Sequence, residues 1–322
     1  RDDAGQGGNG YDGRENRTVF GDIPSGGLTR PTMVAGSHRF TQVSAAALSA
    51  CGLDVEGRAW CWGSNEEGQL GNGSERPRVA YSPVAVTGDH VFSQVAMGML
   101  HTCALDLNGQ TWCWGRDVLG ETGSQGGNGV SSVSTPIAIR QPGRFVRLAL
   151  GEVHSCALDE VGTAWCWGWG GEGQLGTGKA EEDSPSPLKV AGNHTFVGLQ
   201  SASRTTCGID VAGSAWCWGM NEDGTVGTAS RAAQANRPEQ VVGQLEFTLV
   251  TGFGETFVAR DSENRWWYWG EEPHGYYPRG GKPDRATSPR RLKVPSATVQ
   301  FAGDFRGNCA LQADGAVICH TV

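Results

Sequence analysis

The chain has 322 residues and a net charge of −8, with no basic run longer than Arg290-Arg291, which argues against a nucleic-acid partner. No apolar stretch approaches the ~20 residues of a membrane span. Fifty glycines and 12 tryptophans against only four methionines, at 38% hydrophobic content, describe many short strands and turns, so the expected class is all-β.

The chain opens on Arg1 and a glycine-rich stretch, DAGQGGNG at 3–10, before its first cysteine at Cys51. From there a pattern repeats. Cys51 pairs with Cys61, Cys103 with Cys113, Cys156 with Cys166, Cys207 with Cys217 and Cys309 with Cys319, always ten positions apart, and this uses all ten cysteines. A sixth copy, FVARDSENRWWYWG, carries Val258 and Tyr268 in the cysteine positions. A period of about 52 residues suits one four-stranded propeller blade per repeat. Six copies fill the chain, so the expected architecture is one six-bladed β-propeller domain over 1–322.

Each copy places Gly57, Gly109, Gly162, Gly213, Asn264 or Gly315 six residues after the first position of the pair. That predicts a hairpin with a three-residue loop ending in a left-handed residue, for which asparagine is the tolerated substitute. Asp54 then faces Arg58 and Cys51 faces Cys61, close enough for a cross-strand disulfide. Gly52, Ala104, Ala157 and Gly208 face Trp60, Trp112, Trp165 and Trp216, leaving room for each indole. Side-chain alternation puts the tryptophans of each Trp-Cys-Trp on one face and the sulfur on the other. Zinc sites favour shorter spacing with further ligands beside each pair, and no redox CxxC is present, so the cysteines are read as structural. Each bridge is worth ~2–3 kcal/mol in the chain-entropy model. Disulfides persist outside the cytosol, which predicts a secreted, cell-surface or periplasmic protein whose export signal was removed before Arg1.

Around each hairpin lie a Pro-Val-like segment (SPVAV at 82–86, TPIAI at 135–139, SPLKV at 186–190), a short strand (FSQVAMG at 92–98, FVRLALG at 145–151) and a glycine loop (NEEGQLGNG at 65–73, GGEGQLGTG at 170–178, NEDGTVG at 221–227). His-Ser/Thr-Cys-Ala-Leu-Asp, then Trp-Cys-Trp-Gly, then Asn-Glu-x-Gly-Gln-Leu-Gly resembles the repeat of the regulator of chromosome condensation family. The resemblance covers nearly the whole chain and implies a β-propeller, most often seven-bladed in that family where six copies are found here. The paired cysteines resemble the exported bacterial branch more than the nuclear one, so nuclear exchange activity is not expected. The last copy stops where its glycine loop should begin, and residues 3–10 match 66–73. Residues 1–35 are therefore expected to complete the last blade, with Pro31-Thr32-Met33-Val34 as its outer strand and a loop insertion near 11–30.

No nucleophile–base motif, phosphate loop or metal cluster is legible, so no catalytic residue, metal or cofactor is assigned and the chain is read as a non-enzyme. His101 and His154 precede a blade cysteine by two residues, where structural hydrogen bonding is the commoner role. Asp54, Asp106, Asp159, Asp210 and Asp261 recur at the hairpin turns, where capping is the commoner role. Blade 5 is the anomaly, reading RWWYWGEEPHGYYPRGG at 265–281. Trp266 is expected to face Arg260 as a cation–π pair. His274, Tyr276, Tyr277 and Arg279 crowd its glycine loop, and Tyr, Trp and Arg dominate interface hot spots. Trp169 is a second aromatic candidate. The segments before each first cysteine differ between blades and place His101, His154, Arg204 and Arg306 on one rim, which suits a protein surface.

The expected function is a non-catalytic extracellular or cell-surface protein–protein interaction module, such as one subunit of a larger assembly. One alternative is an enzyme inhibitor similar to the β-lactamase-inhibitor propeller. A second is a carbohydrate-binding propeller, which predicts exposed aromatic–acid pairs repeating between blades. Three sequons, Asn16-Arg17-Thr18, Asn72-Gly73-Ser74 and Asn193-His194-Thr195, would carry glycans in a eukaryotic secretory route.

Overall fold

The computed structural model describes residues 33–46, 48–124, 131–179, 183–273, 276, 284–304 and 307–321. Among them there are 23 β-strands and no helix long and apolar enough to cross a membrane.

The strands form six antiparallel sheets. Blade 1 is β1 (Phe40–Ala45), β2 (Ser49–Asp54), β3 (Ala59–Ser64) and β4 (Val79–Ala85). Blade 2 is β5 (Phe92–Met97), β6 (His101–Asp106), β7 (Thr111–Arg116) and β8 (Ser132–Ala138). Blade 3 is β9 (Phe145–Leu150), β10 (His154–Asp159), β11 (Ala164–Gly168) and β12 (Ser184–Lys189). Blade 4 is β13 (Phe196–Ala202), β14 (Thr205–Asp210), β15 (Ala215–Met220) and β16 (Gln234–Gln240). Blade 5 is β17 (Phe247–Phe253), β18 (Thr256–Asp261), β19 (Trp266–Glu271) and β20 (Arg285–Leu292). Blade 6 shows three strands among the described residues: β21 (Thr298–Asp304), β22 (Gly307–Gln312) and β23 (Val317–Thr321). This is a six-bladed all-β propeller. Completion of blade 6 by residues 1–35 falls almost wholly outside the described residues. Within that segment Met33 and Val34 are in no strand, and Met33 is exposed. The chain divides into two compact units between Leu148 and Ala149.

The hairpin register is the one the spacing predicts. Asp54 N donates to Arg58 O, and Gly57 N to Asp54 O, each at 3.0 Å. Counting inward, Leu53 pairs with Ala59, Gly52 with Trp60 and Cys51 with Cys61. Pairs alternate between hydrogen-bonded and non-hydrogen-bonded, and the cysteines fall on the closer, non-bonded kind. Five disulfides form in this way, with Cα atoms 4.0–4.1 Å apart. They join Cys51 to Cys61 in blade 1, Cys103 to Cys113 in blade 2 and Cys156 to Cys166 in blade 3. Cys207 is joined to Cys217 in blade 4, and Cys309 to Cys319 in blade 6. Every pairing read from the spacing is therefore present. In blade 5 Val258 pairs with Tyr268 in the same register, and both are buried in the volume a disulfide would take. Asn264 stands at φ 61° where the other hairpins use glycine.

The two tryptophans of each Trp-Cys-Trp share a face of the sheet but are buried to different extents. The second, Trp114, Trp167, Trp218 or Trp269, is fully buried. The first, Trp60, Trp112, Trp165, Trp216 or Trp267, stays partly exposed. The core lies between neighbouring sheets. In the first unit Cys51, Leu53, Leu70 and Cys61 of blade 1 pack on Phe92, Val95 and Trp114 of blade 2. In the second, Leu175 and Cys166 pack on Trp218, Val226 and Ile209 on Trp269, and Trp266 on Phe301. Full burial of each Leu or Phe contributes roughly 1.5–3 kcal/mol.

The outer strands of blades 1 to 5 each carry a proline at the same place, Pro83, Pro136, Pro187, Pro238 or Pro289, and that of blade 3 a second, Pro185. Proline lacks the N–H a further strand would need, so these edges resist sheet-to-sheet association.

Candidate interaction rim

The glycine that ends Trp-Cys-Trp-Gly sets the rim. Gly219 has φ +110°, and a Cβ there would stand 2.3 Å from the carbonyl oxygen of Arg204. The same holds for Gly270 against Glu255 O at 2.2 Å. Only glycine lets the loop before the first cysteine lie this close to the third strand. That loop, between the first and second strands, is thereby held beside the glycine loop between the third and fourth.

In residues 149–304 these loops carry a charged network. Arg204 Nη1 donates to both oxygens of Glu172, at 2.9 and 3.0 Å, and its Nε lies 3.9 Å from Glu152 Oε2. Ser203 Oγ donates to Glu152 Oε2 at 3.3 Å. Arg285 pairs with Asp223 at 2.6 Å. Glu255 has one carboxylate oxygen with no hydrogen-bond partner among the described residues. Burial pushes its carboxyl above the usual range, with Asp223 and Glu152 adding to the shift while Ser203 and Arg204 oppose it. Arg204 is about one-third exposed, so its guanidinium is both anchored and presented.

The recurring aspartates are saturated by their own hairpins. Asp54 Oδ1 accepts from the backbone N–H of Glu56 and Arg58, and Oδ2 from the Trp60 indole at 2.9 Å. Asp106, Asp159, Asp210 and Asp261 repeat this down to the indole bond. Among the described residues no group of His, Cys, Asp or Glu could hold a metal ion.

The structure distributes the remaining candidates. His154 is fully buried, with Nε2 2.8 Å from Thr206 Oγ1, and burial pushes its pKa down to about 3, so it is neutral. His101 is likewise buried. Trp266 is 3% exposed and packs edge-on against Phe301. Arg260 faces it with its guanidinium carbon 5.8 Å from the ring centroid. Tyr276 is half-buried against Phe301 and His320. Trp169 is half-buried over Gly171. Trp266, His101 and His154 therefore support a surface rather than form one. His274, Tyr277, Arg279 and Arg306 lie outside the described residues. Of the rim residues read from sequence, Arg204 is the one placed in a surface network. Its partner Glu172 was not singled out, because a contact 32 residues away leaves no mark in local spacing.

Two family models described as "Regulator of chromosome condensation (RCC1) repeat" match the chain, one at 56–105 and 161–209, the other at 40–69, 92–121 and 145–174. The chain carries regulator of chromosome condensation repeats. The first model's segments run from a hairpin turn of one blade into the next, while the second's begin on the first residue of blades 1, 2 and 3. Protein RCC2 homolog of Danio rerio is 33% identical over 141 residues, which is 40% of this chain and 28% of that protein. The chain thus spans less than a third of the length of that relative. Among solved structures, human WBSCR16 superposes with a TM-score of 0.77 at 17% identity, over 88% of this chain and 76% of that one. Yeast RCC1 (Prp20), in a structure bound to Kap60, gives 0.73 at 20% identity, over 87% and 69%. At such identity these structures speak to the repeat's fold alone.

Proposed function

We propose that the chain is a non-catalytic protein–protein interaction module working in an oxidising compartment outside the cytosol. The observation that carries the reading is the Glu152–Arg204–Glu172 clamp. Hairpins and cores repeat from blade to blade, while the loops before the first cysteine change and here present an anchored arginine among carboxylates. An arginine pre-ordered by two partners loses little entropy on docking, which suits a hot spot. Yeast RCC1 is described bound to a protein partner, which supports the same use of a related propeller. All ten cysteines are paired, which supports an exported location.

Gentle isolation from the native source followed by crosslinking mass spectrometry tests this. A stoichiometric partner crosslinked to the loops around 152, 172, 204 and 255, and lost on Arg204→Glu, is the expected result. A lone 34.1 kDa species, or a partner unaffected by Arg204→Glu, sinks it.

A further inference from the structure

Blade 4 departs from the others at its outer edge. The outer-strand residue facing the second cysteine is Val84 in blade 1, Ile137 in blade 2 and Leu188 in blade 3. In blade 4 it is Glu239, facing Cys217. Two residues earlier, where blades 1 to 3 carry Ser82, Thr135 and Ser186, blade 4 has Arg237. The ladder is irregular between Glu239 and Ala235, and Arg237 lies in that stretch. Blade 5 also has a charge at the first position, Arg290, but that residue is paired with Asp284. Arg237 and Glu239 make no ion pair or side-chain hydrogen bond among the described residues.

These two side chains line a groove of about 580 Å³, a volume that suits a ligand of small-oligosaccharide size. Its other walls include His194, Trp216, Thr228 and Gln240. Trp216 and His194 pack ring on ring with centroids 4.1 Å apart, and the Trp216 indole N–H is held by Asp210, so this wall is rigid. The lining mixes apolar surface from Ala191, Trp216 and Pro238 with the polar ends of Arg237, Glu239 and Gln240. It offers planar side chains able to hold adjacent hydroxyls in pairs, plus one unmatched guanidinium for a carboxylate.

We propose that this groove binds an oligosaccharide bearing a carboxylate: Arg237 takes the carboxylate, Glu239 and Gln240 take hydroxyl pairs, and the Trp216–His194 pair forms the wall. The hairpin Trp–Asp pairs of the other blades do not offer this chemistry, because their aspartates are already saturated. The groove shares no charged residue with the rim network assigned to protein binding.

Saturation-transfer NMR of the full chain against trigalacturonate, chitotriose and cellotriose tests the proposal. Trigalacturonate is expected to receive saturation, with millimolar or tighter affinity, and the two neutral sugars much less. Arg237→Ser and Glu239→Val restore residue types that blade 1 carries at these places, so folding should survive, and circular dichroism checks it. Each is expected to weaken binding about tenfold or more, the scale of one lost charged hydrogen bond. No transfer to any of the three sugars overturns the proposal. Equal binding of neutral and acidic sugars, or binding that survives the double variant, overturns it as well.

Discussion

The indole nitrogen of Trp114 donates to the backbone carbonyl of Gln69, 2.9 Å away and one blade earlier. Beneath the same ring lies Gly71, whose missing side chain makes room: a Cβ there would stand 2.7 Å from the indole nitrogen. Trp218 repeats both contacts with Gln174 O, at 3.0 Å, and Gly176. The Gly-Gln-Leu-Gly loop of one blade is thus built to receive the Trp-Cys-Trp-Gly of the next. Blade 4 reads Gly-Thr-Val-Gly instead, and the Trp269 indole nitrogen finds no partner among the described residues.

This difference predicts unequal effects of one substitution. Trp114→Phe and Trp218→Phe each lose a buried hydrogen bond, an expected cost of ~1–3 kcal/mol beyond the change in packing, smaller at Trp114 because Gln69 O keeps the Thr102 hydroxyl as a donor at 2.9 Å. Trp269→Phe removes a donor that has no partner, so it should cost less than either. Urea unfolding with disulfides intact gives the comparison, and equal losses at all three sites would remove the hydrogen bond from the explanation.

Stability should be greatest near neutral pH and fall on acidification. Burial alone would raise the carboxyls of Asp54 and Asp261, but hydrogen bonds from Trp60 and Trp267 and from Arg58 and Arg265 outweigh it, so both are lowered. A lowered carboxyl stabilises the fold above its unfolded value of ~3.9, and that stability is lost as pH falls through the folded value. Burial raises Glu121, Glu255 and Glu272, and here the sign reverses. Their contribution is present below ~4.3 and fades as pH rises through the folded value. His154 opposes this: its pKa is pushed down to about 3 by burial, so as pH falls through ~6.5 the unfolded chain takes up a proton that the folded chain does not, and His194, also lowered, adds in the same sense. Melting temperature should therefore fall from pH 7 towards pH 5, with the raised glutamates only blunting the loss, and fall further below pH 4. His154→Gln should remove most of the loss between pH 7 and pH 5, and Glu255→Gln should steepen it; a melting temperature that rises from pH 7 to pH 5 in the parent contradicts the His154 assignment.

The hairpins were legible because their determinants are local. Ten-residue spacing, a left-handed residue at Asn264 and a small residue opposite each tryptophan fix the register within one turn, so even the outlying pair Cys309 and Cys319 could be assigned from spacing. The aspartates were legible as caps, but not the bond from Asp54 to the Trp60 indole, which depends on how a side chain folds back across the pair. The Arg204 clamp and the Glu239–Arg237 edge were illegible for a further reason. These contacts are set by how sheets stack and join residue types found in one blade rather than in every repeat, so no periodicity in the chain encodes them. In blade 5 Trp266, read from sequence as part of an interaction surface, lies in the core against Phe301 because its strand position faces the next sheet.

Gly219→Ala should disturb the rim without touching its charges. The added Cβ meets Arg204 O at 2.3 Å and the residue keeps a left-handed φ, so the loop must shift. The expected cost is ~1–3 kcal/mol of stability. The Arg204–Glu172 contact should loosen with it, and partner binding should fall more than when exposed Ala229 is replaced by glycine. Undiminished binding in a folded Gly219→Ala protein would separate the clamp from function.

The place of Tyr268 in blade 5 can be tested by giving that blade the bridge its neighbours have. Val258 and Tyr268 are direct cross-strand partners, so Val258→Cys with Tyr268→Cys should oxidise to a sixth disulfide, read as no free thiol after unfolding. A bridge closing so short a loop contributes ~2–3 kcal/mol. Removing the buried Tyr268 ring, 5% exposed, leaves a void that costs ~3–5 kcal/mol for an aromatic of this size. The cross-linked variant is therefore expected to be no more stable than the parent, and less stable once reduced. A clear gain in stability on oxidation would mean that the ring contributes little packing, and that blade 5 lacks its disulfide for some reason other than the filled volume.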